Sequence, residues 1–147
     1  KMSLVLGESV EHGALWMGAS LWSWSAEKKR EVFFGLGVTG LVSLTRRRDP
    51  DLERTVDHFL WCPVSDGLKL PDSEARRAAW VVVGWLRARV TVYVHCIAGI
   101  NRSGLVTALV LREVLGLTGQ QALDFVRSCR PGAVRNPVFE NYLKEIG

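Results

Sequence analysis

The sequence has few cysteines and no long hydrophobic run. Three cysteines cannot all pair within one chain of 147 residues, so the pattern is not that of a disulfide-rich secreted domain. A reducing compartment such as the cytoplasm is expected instead. No apolar run reaches the ~18–20 residues that cross a bilayer, and no signal peptide is recognisable at the start. We therefore expect no membrane span.

Basic and acidic residues are also present in similar numbers. Nineteen Lys and Arg stand against fifteen Asp and Glu, which leaves a net charge of +4. This balance suits an anionic substrate, whereas a nucleic-acid-binding protein would need a clustered basic patch. The apolar fraction of 48% and the charged fraction of 23% are typical of a globular protein. With no linker or repeat in view, the sequence predicts one domain over residues 1–147.

A reactive stretch lies at residues 95–104, where the sequence reads His-Cys-Ile-Ala-Gly-Ile-Asn-Arg-Ser-Gly. Residues 90–94 before it are β-branched and aromatic, which is typical of a buried strand. Residues 105–115 after it have a helical apolar pattern, and Gly116 is a suitable C-terminal cap. The stretch is therefore predicted to be a tight loop between a strand and a helix.

The residue types in this loop suit the binding of an oxyanion. Free amide N–H groups at a helix N-terminus attract anions, and with Arg102 they favour the thiolate form of Cys96. The guanidinium of Arg102 can hold two phosphate oxygens at once. Gly99 is expected to let the backbone pass close to a ligand, and Ser103 to place its hydroxyl within reach of the sulfur. An inert buried cysteine is the simpler alternative, but it leaves the neighbouring residues, including His95, as coincidences.

The stretch resembles the signature of the protein tyrosine phosphatase superfamily, His-Cys-x5-Arg-Ser/Thr, and every fixed position of that signature is present. The resemblance implies that Cys96 attacks phosphorus and that Ser103 stabilises the departing thiolate. It implies that His95 braces the loop, supports the thiolate and is not the acid. The equatorial oxygens of the phosphate would be held by Arg102 and by the backbone of Ile97, Ala98, Gly99, Ile100 and Asn101.

The rest of the chain alternates strands with helices. Expected strands are 15–17, 40–44, 58–62 and 90–94, and expected helices are 26–36, 72–89, 105–115, 119–129 and 137–146. Such alternation predicts an α/β fold in a single domain, with a central, mostly parallel sheet of about four to five strands flanked by helices on both faces. Since ligands bind beyond the carboxyl ends of such strands, the loops at 45–50, 63–71 and 95–104 should meet.

Polar residues at the helix starts supply the expected N-caps. Ser25, Thr118 and Asn136 each precede a helical pattern, and Thr118 with Gln121 forms a capping box. The helix that begins near residue 72 is expected to be capped by Asp72 or Ser73.

The resemblance is greatest to the compact dual-specificity branch of the superfamily. The segments that carry it are Leu15-Trp16-Met17-Gly18, Gly37-Val38-Thr39, Leu41-Val42, Arg130-Pro131, Asn136, Phe139 and Leu143. Ser43 departs from the pattern, because many members have an asparagine there that supports the loop. A serine can also bond there and support the loop, although its side chain reaches less far. The branch implies the Cys-based phosphatase fold, a phosphorylated substrate that is most often a phosphoprotein, and a reaction without metal or cofactor.

Asp66 is the leading candidate for the general acid. It follows Pro63 and Val64 in a loop after a strand, thirty positions before Cys96, where related phosphatases have the aspartate of their mobile acid loop. A turn residue before Gly67 is the simpler interpretation of Asp66. Asp72 is the rival acid, although a helix N-cap is the more ordinary role for it.

Several residues could support or surround the site. Asn136 caps its helix and, by the resemblance, could brace the active-site loops. The run Arg46-Arg47-Arg48 is either part of a solvated loop or a basic rim that recruits a second phosphate. Cys62 is either a small core residue or a disulfide partner of oxidised Cys96, and Cys129 has no evident role.

Two other functions remain open at this point. Gly-x-Asn-Arg-Ser/Thr-Gly also occurs in relatives that are RNA 5′-triphosphatases, although those have a histidine where this chain has Ala98. Nucleic acid would be a partner only in that case, and a phosphoinositide phosphatase of the same superfamily is a related alternative. A catalytically dead phosphate-binding module is the alternative outside enzymes, but it predicts loss of Cys96, Arg102 or the acid, and none is lost.

Overall fold

The computed structural model describes all 147 residues. The strands are β1 (Met2–Leu6), β2 (Leu15–Gly18), β3 (Val38–Ser43), β4 (His58–Trp61) and β5 (Thr91–His95). The helices are α1 (Ala26–Leu36), α2 (Pro50–Glu53), α3 (Asp72–Arg87), α4 (Arg102–Leu115), α5 (Gly119–Cys129) and α6 (Pro137–Glu145). None of these helices combines the length and the apolar composition needed to span a bilayer.

The strands form one sheet in the order β1-β2-β5-β3-β4. Strands β2, β5, β3 and β4 are parallel, and β1 pairs antiparallel with β2 at one edge. The predicted α/β fold with a mostly parallel sheet of four to five strands is therefore confirmed. Side chains of β5 alternate between two cores, with Val92 and Val94 in one and Tyr93 in the other.

Helices cover both faces of the sheet. The larger core contains buried residues of α3, α4, α5 and α6, and the smaller core contains Phe33 of α1 and Leu52 of α2. Because all three side chains of β5 that enter these cores are fully buried, β5 lies at the centre of the molecule. The loop that follows β5 is thus anchored on the central strand of the sheet.

Two elements were not predicted. The strand β1 lies at the sheet edge and pairs with β2 from Met2 to Leu6, although the sequence indicated no strand before residue 15. The short helix α2 begins at the last residue of the loop expected at 45–50, and it is capped by Asp49, whose Oδ1 accepts from the Leu52 N–H at 3.1 Å. Both are short elements without a full amphipathic period, which is why the pattern did not indicate them.

The helix caps were mostly predicted correctly. Ser25 accepts from Lys28 N–H, Thr118 forms a capping box with Gln121, and Asn136 caps α6. The expected cap by Asp72 or Ser73 was wrong, because Pro71 occupies the N-cap position of α3 without a side-chain hydrogen bond.

The register of the sheet brings the functional loops to one edge. His95 lies opposite Gly18 of β2 on one side and Ser43 of β3 on the other, and Ser43 lies opposite Trp61 of β4. The strands therefore end in line, and the residues that follow them meet beyond their carboxyl ends, as expected for a parallel sheet.

Candidate active site

Cys96 leaves β5 at the floor of the site. Its side chain is buried, and its Sγ lies 3.3 Å from the Oγ of Ser103 in the first turn of α4. Helix α4 begins at Arg102, three residues earlier than the apolar pattern indicated. The sulfur therefore faces the N-terminal end of a 14-residue helix, where the backbone dipoles favour negative charge.

The loop between Cys96 and α4 presents unpaired amide groups. The backbone N–H groups of residues 97–102 have no hydrogen-bond partner within the protein. Buried or half-buried N–H groups are normally paired, so a run of six free donors is a site for an anion with several acceptor oxygens. Residues Ile97, Ala98, Gly99, Ile100, Asn101 and Arg102, predicted from the signature to bind substrate, are these six.

Arg130 holds the outer side of this loop. Its Nε donates to the Gly99 carbonyl and its guanidinium also donates to the Ala98 carbonyl at 3.1 Å. The Val134 N–H donates to the Ile100 carbonyl at 3.0 Å. The C=O and N–H groups of a trans peptide point in opposite directions. Because the carbonyls of residues 98–100 are held on the outer side of the loop, the N–H groups of residues 99–101 point toward its inner side. Sequence reasoning treated Arg130 only as part of a family pattern and missed this contact.

Gly99 is required by the packing of the loop on the sheet. Its φ is +70°, and a Cβ at this position would lie 2.3 Å from the backbone carbon of Gly18. The glycine therefore lets the loop pack against the end of β2, a role that the sequence did not indicate. The close approach fixes the loop on the sheet from below.

His95 is buried and bonded through both ring nitrogens. Its Nδ1 lies 3.1 Å from the Cys96 carbonyl, which can only accept, so Nδ1 donates. Burial lowers the pKa of His95 to about 4, and the neutral ring then accepts at Nε2 from the Ser43 Oγ at 2.7 Å. Ser43, expected to support the loop itself, contacts it only through this imidazole.

Asp66 extends over the site from the segment after β4. Its Oδ2 accepts from the Asn101 side-chain amide at 3.0 Å, and its Oδ1 accepts from the Asn136 side-chain amide at 2.8 Å. The Asn101 Oδ1 in turn accepts from the backbone N–H groups of Arg135 and Asn136. The candidate acid is thus tied to the signature loop and to the start of α6 at once.

Asn136 combines the two roles considered for it. Its Oδ1 caps α6 by accepting from Val138 and Phe139, while its Nδ2 donates to Asp66 and to the Gly67 carbonyl. An asparagine can do both because its amide has a separate acceptor and donor.

Asp72 is placed elsewhere. It is the first residue of α3, and its Oδ1 accepts from Arg76 at 2.7 Å and from the Tyr142 hydroxyl at 3.1 Å. The hydrogen bond from Arg76 lowers the pKa of Asp72. The aspartate is therefore partnered on the helix surface and does not line the cavity described next.

A cavity of about 580 Å³ opens above the loop. Arg102 lines it and donates from its guanidinium to the Val64 carbonyl at 3.3 Å. The other residues that line it are Trp22, Thr45, Arg46, Arg47, Pro63, Val64, Ser65, Asp66 and Ile97. The three loops predicted to meet all contribute to this lining.

The other cysteines are not placed to protect Cys96. All three cysteines are free. Cys62 follows Trp61, which lies opposite Ser43, and Cys96 follows His95, which lies on the far side of Ser43. Two strand spacings separate Cys62 from Cys96, roughly 9.6 Å between Cα atoms, which exceeds the ~7 Å limit for a disulfide. Cys129 lies at the end of α5, where its Sγ contacts the Val5 carbonyl.

No group of three or more His, Cys, Asp or Glu side chains is arranged to hold a metal ion. The site thus consists of a buried thiol, a ring of free amides, an arginine and a carboxylate held above them. On this fold, that arrangement defines a cysteine-based phosphate-binding site.

The comparison with known proteins gives the family. Residues 23–147 match the model of the dual specificity phosphatase catalytic domain, and the chain belongs to that family. Human dual specificity protein phosphatase 15 is 28% identical over 111 residues, which are 75% of this chain and 37% of that protein. A probable protein tyrosine phosphatase type IVA B of Dictyostelium discoideum is 41% identical over 59 residues, 40% of this chain and 35% of that protein.

Solved structures agree on the fold. Human DUSP28 superposes with a TM-score of 0.73 at 25% identity, over 89% of this chain and 86% of that chain. A putative protein tyrosine phosphatase from Leishmania major superposes with a TM-score of 0.78 at 17% identity, over 100% and 99%. The chain spans 23% of the rat dual specificity protein phosphatase 15 and 37% of the human one, well under two thirds of either.

Proposed function

We propose that this protein is a metal-independent phosphomonoester hydrolase that works through a cysteinyl-phosphate intermediate, with phosphoproteins carrying phosphotyrosine or phosphoserine and phosphothreonine as its substrates. The observation that carries the proposal is the position of the Cys96 sulfur beneath six unpaired amides, with Arg102 and Asp66 lining the cavity above. An inert cysteine would need none of these.

In the first step the Cys96 thiolate attacks phosphorus and forms the S–P bond. The bond from phosphorus to the leaving oxygen breaks, and Asp66 donates its proton to that oxygen. The amides of residues 97–102 and the guanidinium of Arg102 hold the three equatorial oxygens, where charge is concentrated in the transition state. Asn101 and Asn136 hold both carboxyl oxygens of Asp66 in place from one side.

In the second step water hydrolyses the intermediate. The Asp66 carboxylate, now deprotonated, accepts a proton from the water as its oxygen bonds to phosphorus. The S–P bond breaks, inorganic phosphate is released, and the sulfur leaves as a thiolate. The Ser103 hydroxyl, 3.3 Å from the sulfur, donates to that thiolate and lowers the cost of its departure.

His95 acts through the loop in this scheme. Being neutral, it neither donates the proton to the leaving group nor pairs with the thiolate as a cation. Its Nδ1–H bond to the Cys96 carbonyl and its bond to Ser43 fix the backbone that aims the sulfur. His95 and Ser43 are therefore positioning residues.

The decisive experiment measures phosphate release by the wild type, Cys96→Ser and Arg102→Lys from phosphopeptides, phosphoinositides and 5′-triphosphorylated RNA. Each variant should lose on the order of 10⁴-fold or more in turnover while keeping a cooperative unfolding transition. Cys96→Ser should still bind phosphate, because the amides remain. Vanadate should inhibit the wild type and a chelator should not.

The outcomes separate the alternatives. Release from phosphopeptides supports the proposal, whereas release confined to RNA ends or to lipids would move the substrate to one of those classes. Activity that a chelator removes would contradict the metal-free mechanism. Binding without turnover by the wild type would make the protein a phosphate-binding module.

We also propose a reducing compartment, the cytoplasm, as the place of action, because the mechanism needs a free Cys96 thiolate. Iodoacetamide should label Cys96 before it labels Cys62, and inorganic phosphate should slow the reaction. Burial raises the pKa of the Cys62 thiol, so Cys62 serves as the internal reference. Equal labelling of the two would contradict an activated nucleophile.

A further inference from the structure

The turn between α5 and α6 contains a strained residue that takes no part in the two chemical steps. Val134 has a φ of +60° and is fully buried. A β-branched residue rarely adopts this left-handed conformation, because its side chain crowds its own backbone there. Strained residues persist only where the surrounding structure holds them, and they are concentrated at functional sites. The strain at Val134 therefore points to a role for this turn.

The conformation of Val134 accompanies three consecutive amides that face the active site. The Val134 N–H donates to the Ile100 carbonyl at 3.0 Å. The N–H groups of Arg135 and Asn136 donate to the Asn101 Oδ1 at 2.7 and 2.9 Å. A left-handed residue within a turn lets successive amides converge on one side in this way. The turn thus grips the signature loop just before α4 begins.

Arg127, in the last turn of α5, holds the other side of the same peptide units. Its Nε donates to the Ala133 carbonyl at 2.9 Å, and its Nη2 donates to the Val134 carbonyl at 2.7 Å. Because the C=O and N–H groups of a trans peptide point in opposite directions, the N–H groups of residues 134 and 135 point away from Arg127. The guanidinium therefore fixes the two peptide units whose amides contact Ile100 and Asn101.

The turn is clamped between three helices. Arg127 also donates to the Glu140 carboxylate of α6 at 2.7 Å, which orients its guanidinium. The Val134 side chain packs against the first turn of α4, where a Cβ on Gly104 would lie 2.7 Å from the Val134 Cγ2. The amides of the turn therefore cannot reorient without the loss of contacts to α4, α5 and α6.

The grip on Asn101 reaches the candidate acid. The Asn101 Oδ1 is bonded to the turn, while its Nδ2 donates to the Asp66 carboxylate at 3.0 Å. The acceptor and the donors of an asparagine belong to one planar amide, so a fixed oxygen also fixes the direction of the N–H groups. The position of Asp66 therefore depends, through Asn101, on the turn that Arg127 holds.

We infer that Arg127 is a positioning residue for the general acid: it fixes the peptide units of the turn, the turn fixes Asn101, and Asn101 holds Asp66 over the reacting phosphate. This inference rests on the proposed function. Arg127 does not line the cavity above Cys96, so it acts on the reaction only through the residues that it holds. Because a poor leaving group depends most on the acid, the loss of Arg127 should affect alkyl phosphates more than aryl phosphates.

The test measures kcat and KM of Arg127→Ala with a phosphoserine peptide and with nitrophenyl phosphate. The kcat should fall by about tenfold for the peptide and by less than about threefold for the aryl ester, with KM nearly unchanged. In the Asp66→Asn background the same substitution should cost less than about twofold for the peptide, because the acid that Arg127 positions is absent.

Two further variants separate this role from a general loss of stability. Arg127→Lys keeps a charge beside Glu140 but cannot bond both carbonyls in the fork geometry of a guanidinium, so it should show the same dependence on the leaving group. Lys144→Ala removes only the other ion pair of Glu140. It is the matched control and should behave as the wild type with both substrates.

Equal losses of kcat for the two substrates would overturn the inference, and so would equal losses with and without Asp66. Either result would mean that Arg127 acts through the Ile100 carbonyl or through stability alone. The NMR resonance of the Asn101 side-chain amide reports on the contact without turnover. In Arg127→Ala it should move toward its position in Asp66→Asn, and in Lys144→Ala it should stay. If the wild type hydrolyses neither ester but the resonance moves in this way, the positioning stands and the proposed function fails. An unmoved resonance would overturn the positioning.

Discussion

The phosphate cradle (residues 95–103) and the acid segment that carries Asp66 (residues 63–71) are held by very different means. The cradle is buried at Cys96, His95 and Ser103, and the sheet, helix α4 and Arg130 hold it in place. Residues 65–70 of the acid segment make no backbone–backbone hydrogen bond. Their main attachments are the exposed side-chain bonds from Asn101 and Asn136 to Asp66 and Gly67.

The difference suggests a division of labour within the site. Groups that stabilise charge on phosphate must not reorganise during the reaction, so a buried and interlocked cradle suits them. A segment tied by a few exposed hydrogen bonds opens at low free-energy cost, which lets substrate enter and product leave. Changes in the cradle should therefore affect stability and activity together, and changes in the acid segment should affect activity alone.

After the loss of Cys96 or Arg102, the largest effect is expected from the acid itself. Asp66→Asn should lower kcat for phosphopeptides by ~10²–10⁴-fold, because an alkoxide cannot leave without a proton. The loss should shrink for an aryl leaving group such as nitrophenolate, which departs with little help. The unfolding transition of Asp66→Asn in urea should stay near that of the wild type.

The control for this prediction is Asp72→Asn, which changes only exposed contacts with Arg76 and Tyr142 on the helix surface. It should leave kcat unchanged. A large loss in Asp72→Asn and none in Asp66→Asn would transfer the acid to α3. No loss in either variant would favour a reaction with a better leaving group, such as a triphosphate.

The next effect is expected in the cradle, where His95 should make the free energy of unfolding depend on pH. The folded pKa of His95 is about 4, below the ordinary ~6.5 of the unfolded chain. Between these values the unfolded state binds more protons, so the free energy of unfolding should fall as pH drops through this window, by on the order of 3 kcal/mol. Above about pH 6.5 His95 contributes no pH dependence.

Urea unfolding between pH 7 and 4 measures this effect. His95→Gln should show a shallower loss of stability with falling pH than the wild type. Identical pH profiles for the wild type and His95→Gln would show that the imidazole is not held neutral in the fold.

A smaller effect is expected at the outer side of the cradle. Arg130→Ala frees the carbonyls of Ala98 and Gly99, so the amides beyond them lose their orientation, and kcat/KM should fall by about 10- to 100-fold. The melting temperature should also fall. Arg112→Ala, which removes only a contact to the Gly147 carbonyl, is the matched control, and an equal loss of activity there would contradict the role of Arg130.

The smallest effect should come from the attachment of the acid segment. Asn136→Ser keeps a helix cap but is too short to reach Asp66, so kcat should fall by roughly three- to tenfold without a change in stability. The basic limb of the pH–rate profile should change with it, which a loss of helix capping alone would not produce. Unchanged kcat would mean that Asn101 positions Asp66 without Asn136.

Much of this molecule follows from local sequence. A β-branched run predicts β5, a glycine after an apolar period ends α4, and side chains at Ser25, Thr118 and Asn136 predict caps, since each depends on residues within one or two turns. The spacing of Cys96 and Arg102 is likewise a local property of one loop. The sequence therefore identified the family and the order of the main elements.

The tertiary structure decided which distant residues complete the site. Asn101 is 35 residues from Asp66 and Arg130 is 31 from Gly99, and no periodicity relates such pairs. The same holds for Gly99, whose conformation is set by the backbone of Gly18. Contacts of this kind depend on how strands and loops pack, because hydrogen bonding between side chains far apart in the chain leaves no local pattern.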